Sequence, residues 1–152
     1  MDSKNLKLEL FKRCIQFVDQ RIENAQSALT SAREAANSEE KSSAGDKYET
    51  GRAMAQLEQE KANQQLEEAT KLRAALLKIN PELSSPKAGP GSLVLTDKSK
   101  FFIAISAGKM EVDGKSIFVV APNTPIGQQI IGLKKGDRFT FNMYSHLITE
   151  II

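Results

Sequence analysis

The stretch GDKYET, residues 45–50, sets two carboxylates three residues apart, at Asp46 and Glu49. Such a pair has two readings. At a helix start, Asp46 is a good N-cap and Glu49 falls at the third helical position. That is a capping box in its Asp form, which satisfies orphan N–H groups and suits the positive end of the helix dipole. In the other reading the two acids are held out from the fold to do chemistry, which the Asp-x-x-Glu spacing permits but does not require. Glu39, Glu40 and Lys41 precede the turn as a solvated helix end that raises its acidic density, and Lys47 offsets part of the charge of Asp46. The remaining reactive side chains form no such pattern. His146 is the only histidine, has no Ser or Cys partner nearby in sequence, and reads as structural. Cys14 is the only cysteine, which excludes an intramolecular disulfide and a Cys-cluster zinc site. GPGS (89–92) lacks the context of a phosphate loop.

The elements that position the two acids are legible from period. Residues 5–41 contain neither Pro nor Gly. Phe11, Ile15, Val18, Ile22, Ala25, Leu29, Ala32 and Ala36 alternate at spacings of four and three, an uninterrupted heptad seam. Residues 47–79 carry a second, less regular one through Ala62, Leu66, Ala69, Leu72, Leu76 and Ile79, with Ala53, Met54, Ala55 and Leu57 extending the apolar side. The connection NSEEKSSAG is short and polar, so residues 1–79 are expected to form a long antiparallel helical hairpin, a coiled coil with its tip at 37–50. Residues 80–91, with three prolines and two glycines, read as a linker. From 92 to 152 the period changes to two. Strands are expected at 92–96, 100–106, 109–112, 116–120, 137–143 and 146–152, with a hairpin turn at Asp113-Gly114 and a short helix from Pro125. The expected fold class is α+β: the hairpin, then a small, mostly antiparallel β domain with one short helix.

Two segments together resemble Gre-type transcript cleavage factors of bacterial RNA polymerase. That family carries Gly-Asp-x-x-Glu-Asn at the turn of a long N-terminal helical hairpin, and Gly45, Asp46, Glu49 and Thr50 occupy those places here. The second segment, SIFVVAPNTPIGQQIIGLKKGDRFTF (116–141), is similar to the family's C-terminal signature through Thr124-Pro125, Ile131-Gly132 and Gly136-Asp137. The resemblance implies an FKBP-like head without prolyl isomerase activity. It also implies that the hairpin enters the secondary channel of RNA polymerase, where Asp46 and Glu49 help hold a second Mg²⁺ at the polymerase's own active site. There the metal activates water to cut backtracked RNA. Mg²⁺ usually takes one or two carboxylates plus water and phosphate. Two acids on an exposed tip bind it poorly alone, so the isolated chain is expected to be catalytically silent, with no tightly bound cofactor.

The departures from the family bear on activity. It usually continues Asn-Ala-Glu-Tyr after the second acid, where this chain has Thr50-Gly51-Arg52-Ala53. Tyr48, between the acids, either packs back on the helices or contacts a channel wall, and Lys134 and Lys135 begin a turn that could touch an acidic polymerase surface. Two rivals follow: a non-cleaving secondary-channel regulator of the same fold, and a structural coiled-coil interaction protein in which the acids only cap. Long helices with spare apolar edges also allow a homodimer. The net charge of +2 is too near neutral to imply nucleic-acid or membrane binding by bulk electrostatics; the resemblance implies that contact with RNA is indirect, through the polymerase. With no apolar run long enough to span a bilayer and no signal-peptide block, the expected location is the cytoplasm.

Overall fold

The computed structural model describes the backbone of residues 1–41 and 45–152, and the side chains of 1–37 and 50–152. The chain is α+β: a long N-terminal helical region precedes a six-stranded mixed sheet. Helices α1 (Ser3–Lys41) and α2 (Gly45–Leu77) are followed by β1 (Leu93–Thr96), β2 (Lys100–Ile103), β3 (Gly108–Val112), β4 (Lys115–Val120), α3 (Pro125–Ile130), β5 (Arg138–Phe141) and β6 (Tyr144–Ile151). Two compact units form, one of Met1–Gln16 with Ala75–Ile152 and one of Phe17–Ala74.

Within Phe17–Ala74 most of the buried side chains are alanine. Val18, Ala25, Leu29 and Ala32 are buried on α1, and Ala55, Ala62 and Ala69 on α2. The seven-residue spacing on α2 keeps one methyl per heptad against the neighbouring helix. The Arg73 guanidinium donates from Nε to Asp19 Oδ1 at 2.8 Å, joining α2 to α1. Both side chains are exposed, so the pair contributes at most about 1 kcal/mol. Arg21 lies over the Phe17 ring at 4.6 Å. Met54 and Leu57 do not join the buried side as expected; they are exposed on α2. A heptad seam is too narrow to cover positions so far from Ala55 around the helix.

In the unit of Met1–Gln16 and Ala75–Ile152, α1 starts on an Asp2 cap whose carboxylate accepts from the Asn5 N–H at 2.8 Å. Leu6, Leu10 and Cys14 are buried here, whereas the seam residues Phe11 and Ile15 are only partly so. These turns belong with the sheet, which selects its own stripe. Arg13 donates to Glu111 O at 2.9 Å, and the Lys7 ammonium to Leu83 O at 2.7 Å and Ile152 O at 3.0 Å.

Lys7 is almost fully buried, and burial lowers its pKa from the usual lysine value. Lys7→Met is expected to destabilise the protein by roughly 2–4 kcal/mol, because two carbonyls lose their donor. Urea denaturation would measure it. The folded state releases the Lys7 proton at lower pH than the unfolded chain does. The stability of the parent should therefore rise with pH between that lowered pKa and the ordinary value, and the variant should lack this increment. Burial also pushes the Cys14 thiol up to about 12, so thiolate is scarce at neutral pH. Disulfide-exchange reagents should label Cys14 only as the protein unfolds; fast labelling of the folded chain would contradict its burial.

The sheet order is β3-β4-β2-β1-β6-β5. Every neighbouring pair is antiparallel except β2 and β4, which run parallel from Lys100↔Ile117 to Ile103↔Val120. The sheet is mostly antiparallel, as expected, with this one parallel pair. The chain leaves β2, lands one place beyond its neighbour as β3, and turns at Asp113 (φ 53) and Gly114 (φ 72). That hairpin then returns β4 into the gap, with the same sense as β2. Successive residues face opposite sides. One face carries Val94, Phe101, Ile103, Phe139 and Ile148 into a core closed by Ile126, Ile130 and Ala88. Leu93, Phe102, Ile117 and Val119 are buried on the other.

Helix α3 starts where the sequence signals it. Thr124 Oγ1 accepts from the Gly127 N–H at 3.2 Å, and Pro125 fills the first turn. Gly132 (φ 86) follows its end, and Gly136 (φ 94) turns the chain toward β5 while Asp137 Oδ2 accepts from the Lys134 N–H at 2.9 Å. Segment 80–91, read as a linker, is anchored to this unit. Ala88 N–H donates to Leu133 O at 2.7 Å, Gly132 N–H to Ala88 O at 2.8 Å, and Gly91 N–H to Ile103 O at 2.6 Å. Prolines and glycines here shape a tethered strap.

Candidate functional site

Asp46, Tyr48 and Glu49 lie in the backbone of α2, and their side chains are outside the described residues, as are those of Glu39, Glu40, Lys41 and Lys47. Residues 42–44, with Ser42 and Ser43, are outside them altogether. Because α2 already includes Gly45, Asp46 sits within the first turn rather than before it. An acid there still benefits from the helix dipole, so the electrostatic half of the capping argument survives without the cap itself. Thr50 and Arg52 are exposed and Gly51 is partly buried, all within helix.

Lys134 and Lys135 are exposed in the turn after α3, and Lys134 forms an isolated β-bridge with Lys87. They belong to the sheet unit, whereas Asp46, Tyr48 and Glu49 belong to the helical one. Among the described residues no three His, Cys, Asp or Glu side chains come together as a metal cluster. A pair of carboxylates three residues apart on one helix provides two of the six ligands that octahedral Mg²⁺ requires. Such a pair fits a metal shared with another molecule.

Sequence reasoning passed over one polar side chain with functional geometry. His146 is buried as expected, stacked on Phe139 (centroids 5.3 Å, planes 11° apart) with Phe101 edge-on at 5.6 Å. It also lines a cleft of about 300 Å³ with Phe118, Phe141 and Tyr144. Phe101 and Phe139 are core, as their strand spacing predicts, but Phe118 and Phe141 are only partly buried and form cleft wall. The one signal in sequence was a histidine alternating in phase with Tyr144 and Ile148 on β6.

Comparison with known proteins finds no family model that matches the chain, and no curated protein or solved structure that matches it. Among the described residues no helix is long and apolar enough to cross a membrane.

Proposed function

We propose that this chain is a Gre-type secondary-channel factor of bacterial RNA polymerase, acting in the cytoplasm to stimulate cleavage of backtracked RNA. The observation that carries the reading is the order of parts. Two long helices, Ser3–Lys41 and Gly45–Leu77, come in succession, with Asp46 and Glu49 early in the second. A sheet unit follows, in which Thr124-Pro125 opens α3, Gly132 follows its end and Gly136-Asp137 leads into β5. The Asp19–Arg73 pair and the heptad of Ala55, Ala62 and Ala69 support an antiparallel hairpin of α1 and α2. The sheet unit is an FKBP-like head that docks on the channel rim, with Lys134 and Lys135 toward acidic polymerase surface.

In this reading Asp46 and Glu49 are the residues that hold Mg²⁺ jointly with the polymerase and RNA. When bound there, the metal activates a water and steadies the leaving oxygen of an RNA phosphodiester. The chain's own contribution is to bring two anionic oxygens into a site that lacks them, and Tyr48 lies against a channel wall or the helices beside them. Alone it is not an enzyme. A backtracked transcription complex is the test: added protein should shorten the RNA in a Mg²⁺-dependent way, and no polymerase binding at micromolar concentration would end the proposal.

A second reading keeps the fold and drops the cleavage. Gly51, inside α2, weakens the helix by about 1 kcal/mol relative to Ala, just past the acids. With Thr50 in place of the family's Asn, this favours a regulator that occupies the channel without cutting. Binding without shortening of RNA would establish that reading. A structural coiled-coil partner, with homodimerisation through exposed Met54 and Leu57, predicts neither.

A further inference from the structure

We infer that the outer edge of β3 is a pairing surface for a second copy of this chain, held closed by the Arg13 side chain. An end strand of a sheet presents a row of backbone N–H and C=O groups to any extended partner. The sheet has two such strands, β3 and β5. Which groups face outward follows from the turns. Val112 and Lys115 flank the two-residue turn Asp113-Gly114, whose φ values of 53 and 72 are both positive. A pair flanking such a turn exchanges both of its backbone hydrogen bonds, and the next pair along the ladder exchanges none. Val112, Met110 and Gly108 therefore bond inward to β4, while Glu111 and Lys109 point their N–H and C=O away from it.

Arg13 stands on that outward row. Its Nη1 donates to Glu111 O at 2.9 Å, and its Nε donates to Glu9 Oε1 at 3.1 Å. A carboxylate of α1 thus aims the guanidinium at the strand carbonyl. The β5 edge is treated in the same way. By the same alternation from the Phe141–Tyr144 pair, Thr140 faces outward, and its N–H donates to Gln129 Oε1 of α3 at 3.3 Å. Each end strand therefore carries a helix side chain on an outward backbone group. Such contacts interrupt the row that a partner strand needs.

Charge selects the occupant of the β3 edge. Two antiparallel copies related by a two-fold axis at Met110 set Lys109 of each against Glu111 of the other. Those are the outward residues, so the two pairs exchange four backbone hydrogen bonds in register. Opposite charges directly across a strand pair are favourable. Both side chains are exposed and Met110 is only partly buried, so nothing in the core has to move. The same operation on β5, about Phe139, sets Arg138 against Thr140 and gains no ion pair. Self-pairing is thus specific to β3, and it requires the displacement of two Arg13 contacts, one per copy.

Sedimentation velocity of the full chain over a concentration series tests this. Arg13→Ala should self-associate at least roughly tenfold more tightly than the parent, since two Arg13–carbonyl bonds no longer compete. In that background Lys109→Glu should reverse the gain, because like charges then face each other. Adding Glu111→Lys should restore it, as the exchanged pair is again complementary. Amide exchange locates the contact: in Arg13→Ala the Lys109 and Glu111 N–H groups should slow with rising concentration, while those of Met110 and Val112 stay slow throughout. Self-association of Arg13→Ala equal to that of the parent overturns the proposal. So does a dimer indifferent to Lys109→Glu, which would place the contact elsewhere, as on Met54 and Leu57 of α2. Glu9→Gln is a second variant, which loosens the guanidinium without removing it. It should associate at a strength between those of the parent and Arg13→Ala, and association no tighter than the parent's counts against Arg13 as the guard.

Discussion

Asp46→Asn should lower stimulated RNA cleavage in a backtracked complex by roughly one to two orders of magnitude, while the affinity for polymerase stays within about twofold. The substitution is chosen because the two readings of the acid pair respond to it oppositely. Asparagine keeps the shape and loses the charge, so a purely structural role in the first turn of α2 predicts a loss of at most about 1 kcal/mol in stability and no change in cleavage. A role in holding Mg²⁺ predicts a large one, since the amide oxygen keeps the shape of the carboxylate but loses the charge that a hard cation binds. Glu49→Gln should behave in the same way. Raising Mg²⁺ should restore part of the lost rate, because weakened metal occupancy responds to concentration by mass action. Equal cleavage by parent and Asp46→Asn would remove the catalytic role.

The same assay separates the non-cleaving rival without a new variant. If the parent binds polymerase but never shortens RNA, the two acids are spectators and residues 50–53 explain why. The helix there carries Thr50 and Gly51, and neither supplies an amide or carboxylate oxygen beside the acids. Restoring the family's residue with Thr50→Asn is the natural follow-up, expected to raise cleavage only if the acids are competent.

How much of this was legible in the sequence differs by element. The six strands and α3 were, because alternation, Asp113-Gly114 and the Thr124-Pro125 start are local signals that the fold obeys. The parallel β2–β4 pair was not, since nothing local distinguishes a hairpin beside β2 from one inserted a place further on. Of the seam read on α1, Val18, Ala25, Leu29 and Ala32 are buried, while Phe11, Ile15, Ile22 and Ala36 are partly so. A seven-residue period describes helix against helix, and the first turns of α1 share their unit with a sheet. Lys7 was invisible because a lysine buries only when carbonyls are waiting for it, and those of Leu83 and Ile152 are more than seventy residues away. At the candidate site the residue types were legible but their role was not. Asp46 and Glu49 stand out by resemblance rather than by spacing. The His146 cleft brings Phe118 of β4 to Phe141 of β5 and Tyr144 of β6, a neighbourhood that no periodicity encodes.

Gly127→Ala should be the most damaging single-methyl change in the sheet unit. In a helix interior that replacement normally stabilises by about 1 kcal/mol, and Gly127 has no positive φ to protect. The obstacle is space. A Cβ at Gly127 would lie 2.1 Å from Ala121 O and 2.9 Å from Pro122 O, and both are backbone atoms that cannot swing aside. Relief requires α3 to move away from residues 121–122. That motion breaks the Gly127 N–H bond to Thr124 Oγ1 and lifts Ile126 and Ile130 off Phe139 and Ile103. Overpacking of this kind costs about 3 kcal/mol or more. In a domain of this size that lowers the thermal midpoint by roughly 10–20 °C, readable in near-ultraviolet circular dichroism through the phenylalanine cluster. Gly89→Ala is the matched control, because its Cβ would meet nothing within 4 Å. It should shift the midpoint by no more than a few degrees. A Gly127→Ala protein as stable as the parent would mean that α3 is not held against residues 121–122.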